Sequence, residues 1–176
     1  RNLIIREGEN KKMKKLLLMM ITFILLVLGC SKEFHVDVNK EGAPISNFKL
    51  QDLEGKKIDS DSILNNGKKT LFIVAAEWCP HCREESPEIQ RFYDNYKDKV
   101  NVIVVFTNSG YSLDKVKDYL TKNGYTYPAY YDNDGVILRG FGVNGFPFNL
   151  KIDNGKVVKQ LELPVNYEKI VKELVE

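Results

Sequence analysis

Apolar and polar positions along the chain alternate, run together and repeat at helical spacing in a readable order. Thr70-Leu71-Phe72-Ile73-Val74-Ala75-Ala76 is a near-continuous apolar run, the pattern of a central strand buried on both faces. Val100 to Phe106 repeats that pattern and predicts a second buried strand. Between them, residues from Pro80 to Lys97 carry Ile89, Phe92, Tyr93 and Tyr96 at helical spacing. Ser112 to Asn123 places Leu113, Val116, Tyr119 and Leu120 on one helical face, with Gly124 as the C-terminal cap.

Upstream, Asn47-Phe48-Lys49-Leu50 alternates, Asp52-Leu53-Glu54-Gly55 turns, and Lys56-Lys57-Ile58 returns, which predicts a hairpin. Asp59-Ser60-Asp61 then caps a short helix that ends at Asn65-Asn66-Gly67. Downstream, Tyr127 to Tyr131 reads as a short strand, Asp132-Asn133-Asp134-Gly135 as a turn, and Val136 to Phe141 as a helical turn. Phe148 to Ile152 and Val157 to Leu163 flank Asp153-Asn154-Gly155-Lys156, a strong hairpin signal, and a last helix runs over 166–175. The order is a hairpin, then βαβα, then ββα: an α/β domain over 43–176 with a mixed sheet.

The N-terminal part follows other rules. Residues 1–12 lack apolar periodicity, and Met13 before Lys14-Lys15 is the expected start. Leu16 to Leu28 is apolar but for Thr22, the length of a signal-peptide core and short for a membrane span. Residues 1–29 are therefore read as an upstream segment and a signal peptide. Val27-Leu28-Gly29-Cys30 resembles a bacterial lipobox, in which Cys30 is acylated and becomes the first residue after cleavage. Residues 30–42 are polar and read as a tether from lipid to domain.

Charge then changes the picture. The formal net charge is +2, but residues 1–29 hold six basic against two acidic side chains, which leaves 20 basic and 22 acidic in the rest. No basic patch of the kind that binds nucleic acid survives, and no nucleic-acid partner is expected.

The chemistry concentrates in Trp78-Cys79-Pro80-His81-Cys82, at the junction of the central strand and the following helix. Unpaired N–H groups and the helix dipole favour an anion there, so Cys79 is the candidate attacking thiolate. Cys82, one turn on, can attack a mixed disulfide and release product. Trp78 can shield the site, and Pro80 suits a first helical turn that needs no N–H. His81 can hold the Cys79 thiolate by a hydrogen bond, or by charge when protonated. Two other readings of the pair stand beside this one. A zinc half-site would need two more ligands, for which only His35 and His81 remain once Cys30 is set aside. A structural disulfide would close so small a ring that it adds little by loop entropy. No metal and no cofactor beyond a redox-active Cys79–Cys82 disulfide is expected. Asp132-Asn133-Asp134-Gly135 echoes a calcium loop but has Val143 where the distal Glu would fall.

The segment from Phe72 to Pro87, together with Gly142-Val143-Asn144-Gly145-Phe146-Pro147 and Leu150 to Val158, is similar to the thioredoxin-fold proteins. It most resembles the TlpA/ResA-like extracytoplasmic thiol–disulfide oxidoreductases, from about Ala43 to Glu176. The resemblance implies a thioredoxin-like fold: a central mixed sheet flanked by helices, here with an N-terminal β-hairpin extension. It implies that Pro147 is a cis-proline facing the cysteines, that Phe146 offers backbone groups to a substrate strand, and that Glu85 is the active-site glutamate, relaying protons to Cys82. Pro87 matches the kink proline of the active-site helix.

Three positions depart from the family. Ile73 stands where thioredoxins carry a buried Asp, Phe148 follows the cis-proline in place of Thr, and Pro80-His81 is the dipeptide of DsbA-type oxidases. The implied role is reduction of protein partners outside the cytoplasm, such as apocytochromes or methionine sulfoxide reductases, by a lipid-anchored monomer fed by a membrane electron donor. A dithiol oxidase and a non-catalytic binding module are the rival readings.

Overall fold

A computed structural model describes residues 13–15, 17–19, 34–108 and 112–176. The chain divides into two units, residues 1–33 and 34–176. In the first, residues 13–15 and 17–19 are helical. Val27-Leu28-Gly29-Cys30, and with it the expected lipidation site, lies outside the described residues. No helix among the described residues is long and apolar enough to cross a membrane.

The second unit is built on a five-stranded sheet. Its elements run β1 (Lys49–Gln51), β2 (Lys57–Asp59), α1 (Asp61–Leu64), β3 (Lys69–Ala75), α2 (Pro80–Tyr96), β4 (Asn101–Thr107) and α3 (Leu113–Asn123). They continue with β5 (Ala129–Asp132), α4 (Val136–Gly140), β6 (Phe148–Asp153), β7 (Lys156–Gln160) and α5 (Tyr167–Leu174). The strand order is β5-β4-β3-β6-β7, with β1 and β2 forming a separate antiparallel pair. β3, β4 and β5 run parallel, whereas β6 runs antiparallel to both β3 and β7. The βαβ crossovers need helices to reverse direction; the β6–β7 return needs only Asp153-Asn154-Gly155-Lys156, with Asn154 and Gly155 at positive φ.

The apolar run of β3 is explained by cover on both sides. Leu71, Ile73 and Ala75 pack with Ile89 and Phe92 of α2, Val116 and Leu120 of α3, and Ile170 and Leu174 of α5. Phe72 and Val74 face the opposite layer, with Leu50 of the hairpin, Leu64 of α1, Ile137 of α4 and the inward face of β6. Alternation along one strand thus feeds two cores, and each needs its own helices.

One boundary differs from expectation. The tether predicted over 30–42 gives way to the folded unit at Phe34. The Phe34 ring stacks on Phe48 at 4.8 Å and meets the edge of Phe141 at 5.5 Å. The Val36 N–H donates to the Gly140 carbonyl at 2.8 Å, and Val36 and Ala43 are buried. Phe34, Val36 and Val38 alternate with His35 and Asp37, and these three apolar residues bring the segment down onto the sheet layer.

Candidate active site

The sheet register builds the site. Val74, near the end of β3, lies opposite Phe148, at the start of antiparallel β6. The residues that leave β3 and those that enter β6 are therefore neighbours. Cys79 follows the first and Phe146-Pro147 precedes the second, so two segments 67 residues apart meet at one end of the sheet.

Cys79 is the N-cap residue of α2, with extended backbone (φ −71°, ψ 123°), and Pro80 takes the first helical turn. The Arg83 N–H closes that turn by donating to the Cys79 carbonyl at 3.1 Å. Both thiols are free and buried. The Cys79 thiol donates to the Phe146 carbonyl, Sγ to O 3.6 Å. The Phe146–Pro147 peptide is cis, as the resemblance implies. Trp78 is partly exposed and meets the Phe146 ring edge-on, 6.2 Å between centroids. Trp78 and the cis-proline loop thus form one aromatic rim over the sulfur.

Cys82 sits one turn further along α2. Burial pushes its thiol up, and a hydrogen bond to Cys79 and the charges of Cys79 and Glu85 push it further the same way, against a hydrogen bond with the Ala76 backbone. It is held as a thiol, suited to wait and attack second. The Ser86 hydroxyl donates to the Cys82 carbonyl at 2.8 Å and accepts from the Tyr119 hydroxyl at 2.8 Å, which ties α2 to α3 behind the second cysteine.

Glu85 is on the inner face of α2, 5% exposed. Burial raises its carboxyl to about 7, against hydrogen bonds from Asn149 and the Val165 N–H and the charges of His81 and Lys169. A carboxylate so placed can take a proton at neutral pH. His81 differs from expectation. Its Nδ1 lies 3.2 Å from Glu84 Oε2 and the side chain is largely exposed, so the predicted hydrogen bond to the Cys79 thiolate is not what the structure shows. At the fourth position of Trp78-Cys79-Pro80-His81-Cys82, in the first turn of α2, the ring points outward and the neighbouring carboxylate claims it.

Sequence reasoning missed several groups. Asn149 of β6 is the residue that meets Glu85; its signal was a lone amide inside an apolar strand. Leu163-Pro164-Val165, with a second cis peptide at Leu163–Pro164, forms the far wall of a cavity of about 500 Å³ that reaches His81 and Glu85. Glu77, beside Trp78, is buried with no hydrogen-bond partner for either carboxylate oxygen, while its carbonyl accepts from Arg83 Nε at 2.6 Å. Among the described residues no three His, Cys, Asp or Glu side chains converge to hold a metal.

A dithiol at the mouth of a helix, with the carbonyl of the residue before a cis-proline on the first sulfur, is the arrangement of a thioredoxin-like thiol–disulfide oxidoreductase, and known proteins agree. The chain belongs to the Redoxin family, whose model matches residues 40–175. It is similar to the thiol-disulfide oxidoreductase ResA of Bacillus cereus (strain ATCC 10987 / NRS 248), 31% identical over 162 residues that cover 85% of this chain and 90% of that protein. It is also similar to the sporulation thiol-disulfide oxidoreductase A of Bacillus subtilis (strain 168), 27% identical, covering 86% and 93% of the two chains. Among solved structures it resembles StoA from Bacillus subtilis, with TM-score 0.65, 29% identity and 74% and 97% coverage. The pneumococcal exposed lipoprotein thioredoxin Etrx1 from Streptococcus pneumoniae is another neighbour, with TM-score 0.64, 26% identity and 73% and 98% coverage.

Proposed function

We propose that this protein reduces disulfides of partner proteins outside the cytoplasm, anchored to a bacterial membrane by lipid on Cys30. The observation that carries the direction of attack is the asymmetry of the pair: Cys79 is the N-cap of α2 and touches the Phe146 carbonyl beside the Trp78–Phe146 ring pair, whereas Cys82 lies one turn into the helix and is held protonated by burial. Cys79 as thiolate attacks a substrate disulfide, forming a mixed disulfide and releasing one substrate thiolate. Glu85 takes the proton of Cys82, and the Cys82 sulfur attacks Cys79. The bond between Cys79 and substrate breaks, the second substrate thiolate leaves, and Cys79–Cys82 remains oxidised. Two electrons must then be returned, and a membrane dithiol protein is the donor of fitting chemistry.

Export and anchoring are supported by Lys14-Lys15, the apolar stretch and the Cys30 motif, and by the description of one structural neighbour as an exposed lipoprotein. The Pro80-His81 dipeptide favours one alternative, an oxidase that runs the same steps in reverse. The test is trapping. A Cys82→Ser protein incubated with disulfide-bearing protein substrates should accumulate adducts through Cys79 that dithiothreitol releases. Adducts that persist in a Cys79→Ser/Cys82→Ser protein, or reduction that survives Cys79→Ser, would overturn the assignment.

A further inference from the structure

Along β6, Phe148, Leu150 and Ile152 face one core, and Asn149 points the other way, toward α2 and α5. Asn149 is 1% exposed, on the side of the sheet where the core of Leu71, Ile73, Ile89, Phe92 and Ile170 packs. An apolar residue would fill that place with less desolvation. What the amide does there is specific. Its Nδ2 group lies 3.1 Å from Oε2 and 3.3 Å from Oε1 of Glu85, and so spans both carboxylate oxygens. The Val165 N–H adds one bond to Oε1 at 3.3 Å. Its own carbonyl oxygen, Oδ1, is buried with no partner. A buried acceptor left empty in a packed layer asks for a reason.

The strand register supplies the context. Asn149 lies directly opposite Ile73 of β3. Ile73 is apolar where the resemblance leads one to expect a buried acid, so β3 brings no titratable group to the second cysteine. The polar partner has crossed to the neighbouring strand, and it acts through Glu85. Without Asn149, one backbone N–H would hold the carboxylate, and Glu85 would be free to turn into the adjoining cavity toward His81 and Pro164.

We propose that Asn149 is a positioning residue for the resolving half of the reaction: it holds the ionised Glu85 carboxylate beside Cys82, and by turning its amide over it offers Oδ1 to the protonated carboxyl. The inference rests on the reading of Glu85 as proton acceptor for Cys82. The proton passes from the Cys82 thiol to a Glu85 oxygen. The hydroxyl so formed is a donor, and Nδ2 cannot accept from it, whereas Oδ1 can. The same side chain thus serves both ends of the transfer. The other groups facing Glu85 are His81 and Cys82 from α2 and Lys169 from α5; Glu84 and Glu88 line the same cavity. β6 contributes Asn149 and no charge at this point.

The experiment is the pH profile of the resolving step, measured as release of a thiol probe from a preformed mixed disulfide on Cys79. It compares wild type, Asn149→Leu, Glu85→Gln and the double variant. Asn149→Leu should move the midpoint upward by roughly one pH unit and slow release at neutral pH about tenfold, because Nδ2 spans both oxygens of the carboxylate whereas Oδ1 accepts only one bond from the protonated carboxyl, so the ionised form loses more. In the Glu85→Gln background the same change should add nothing. An unchanged profile for Asn149→Leu, or an equal effect in both backgrounds, overturns the positioning role while leaving Glu85 as the acceptor. An unchanged profile for Glu85→Gln alone overturns the acceptor and the inference together. A second measurement needs no change at position 149: the Asn149 side-chain amide resonances should titrate with Glu85 in wild type and be pH-independent in Glu85→Gln. Amide resonances that ignore pH in wild type would contradict the proposal.

Discussion

The Cys79 sulfur and the Phe146 carbonyl oxygen stand 3.6 Å apart, joined across 67 residues of sequence by the antiparallel pairing of β3 and β6. The same register puts the Phe146 ring edge-on to Trp78. Cys79, the proposed attacking sulfur, therefore sits beside a pair of aromatic rings that a docking substrate is proposed to contact.

Removing half of that rim should weaken docking more than chemistry. Phe146→Ala keeps the carbonyl but loses the aromatic contact, which is about 0.5–1.5 kcal/mol for such pairs. KM for a protein disulfide should rise about 2- to 10-fold with kcat little changed, in steady-state turnover with a fixed reductant. A fall in kcat at constant KM would place Phe146 in the chemical step instead.

Glu85 links the site to stability. Its carboxyl has an ordinary value of 4.5 and titrates at about 7 in the folded protein, chiefly because it is buried. The folded state holds that proton more tightly than the unfolded chain. The stabilising contribution is complete below about 4.5 and is lost as pH rises through about 7. Glu85→Gln should remove this dependence, so its stability relative to wild type should improve by up to about 3 kcal/mol from acidic to mildly alkaline pH. Urea unfolding across that range checks it; parallel curves for the two proteins would show that Glu85 does not titrate there.

His81 faces Glu84, not the Cys79 sulfur, so any influence on the couple acts through charge and not through a direct hydrogen bond. His81→Pro should make the Cys79–Cys82 pair more reducing by roughly 30 mV. Equilibration with glutathione at several pH values reads the shift. A potential that does not move would remove His81 from the list of tuning residues.

Much of this was legible in the sequence because the decisive signals are local. The run over 70–76, the CxxC at its end and the turn residues at 153–156 fix β3, the start of α2 and the last hairpin without reference to anything distant. Pro147 was reachable through its motif. Asn149 was not, because its importance depends on which strand lies beside β3 and in which register. His81 shows the converse: its place in the motif is plain, but its orientation is decided by a neighbouring carboxylate at 3.2 Å. Phe34, Val36 and Val38 were read as tether because an alternation of three apolar residues is too short to stand out among polar neighbours; the cover of Phe34 and Val36 exists only once Phe48, Phe141 and Gly140 are assembled.

That last contact has its own test. A Cβ on Gly140 would stand 2.3 Å from the Phe34 ring, so Gly140→Ala must push Phe34 off its stack on Phe48. The change should cost about 1–3 kcal/mol in thermal or urea unfolding of a protein that includes Phe34. In a Phe34→Ala background it should cost much less, since the obstructing ring is gone. Equal costs in both backgrounds would return residues 34–42 to the tether.

The direction of electron flow is the centre of the account, and the reduction potential of the Cys79–Cys82 couple in the folded unit tests it most directly. A value near that of thioredoxin, roughly −270 mV, is the result predicted for a reductase; a value near roughly −120 mV would contradict it and make the protein a dithiol oxidase.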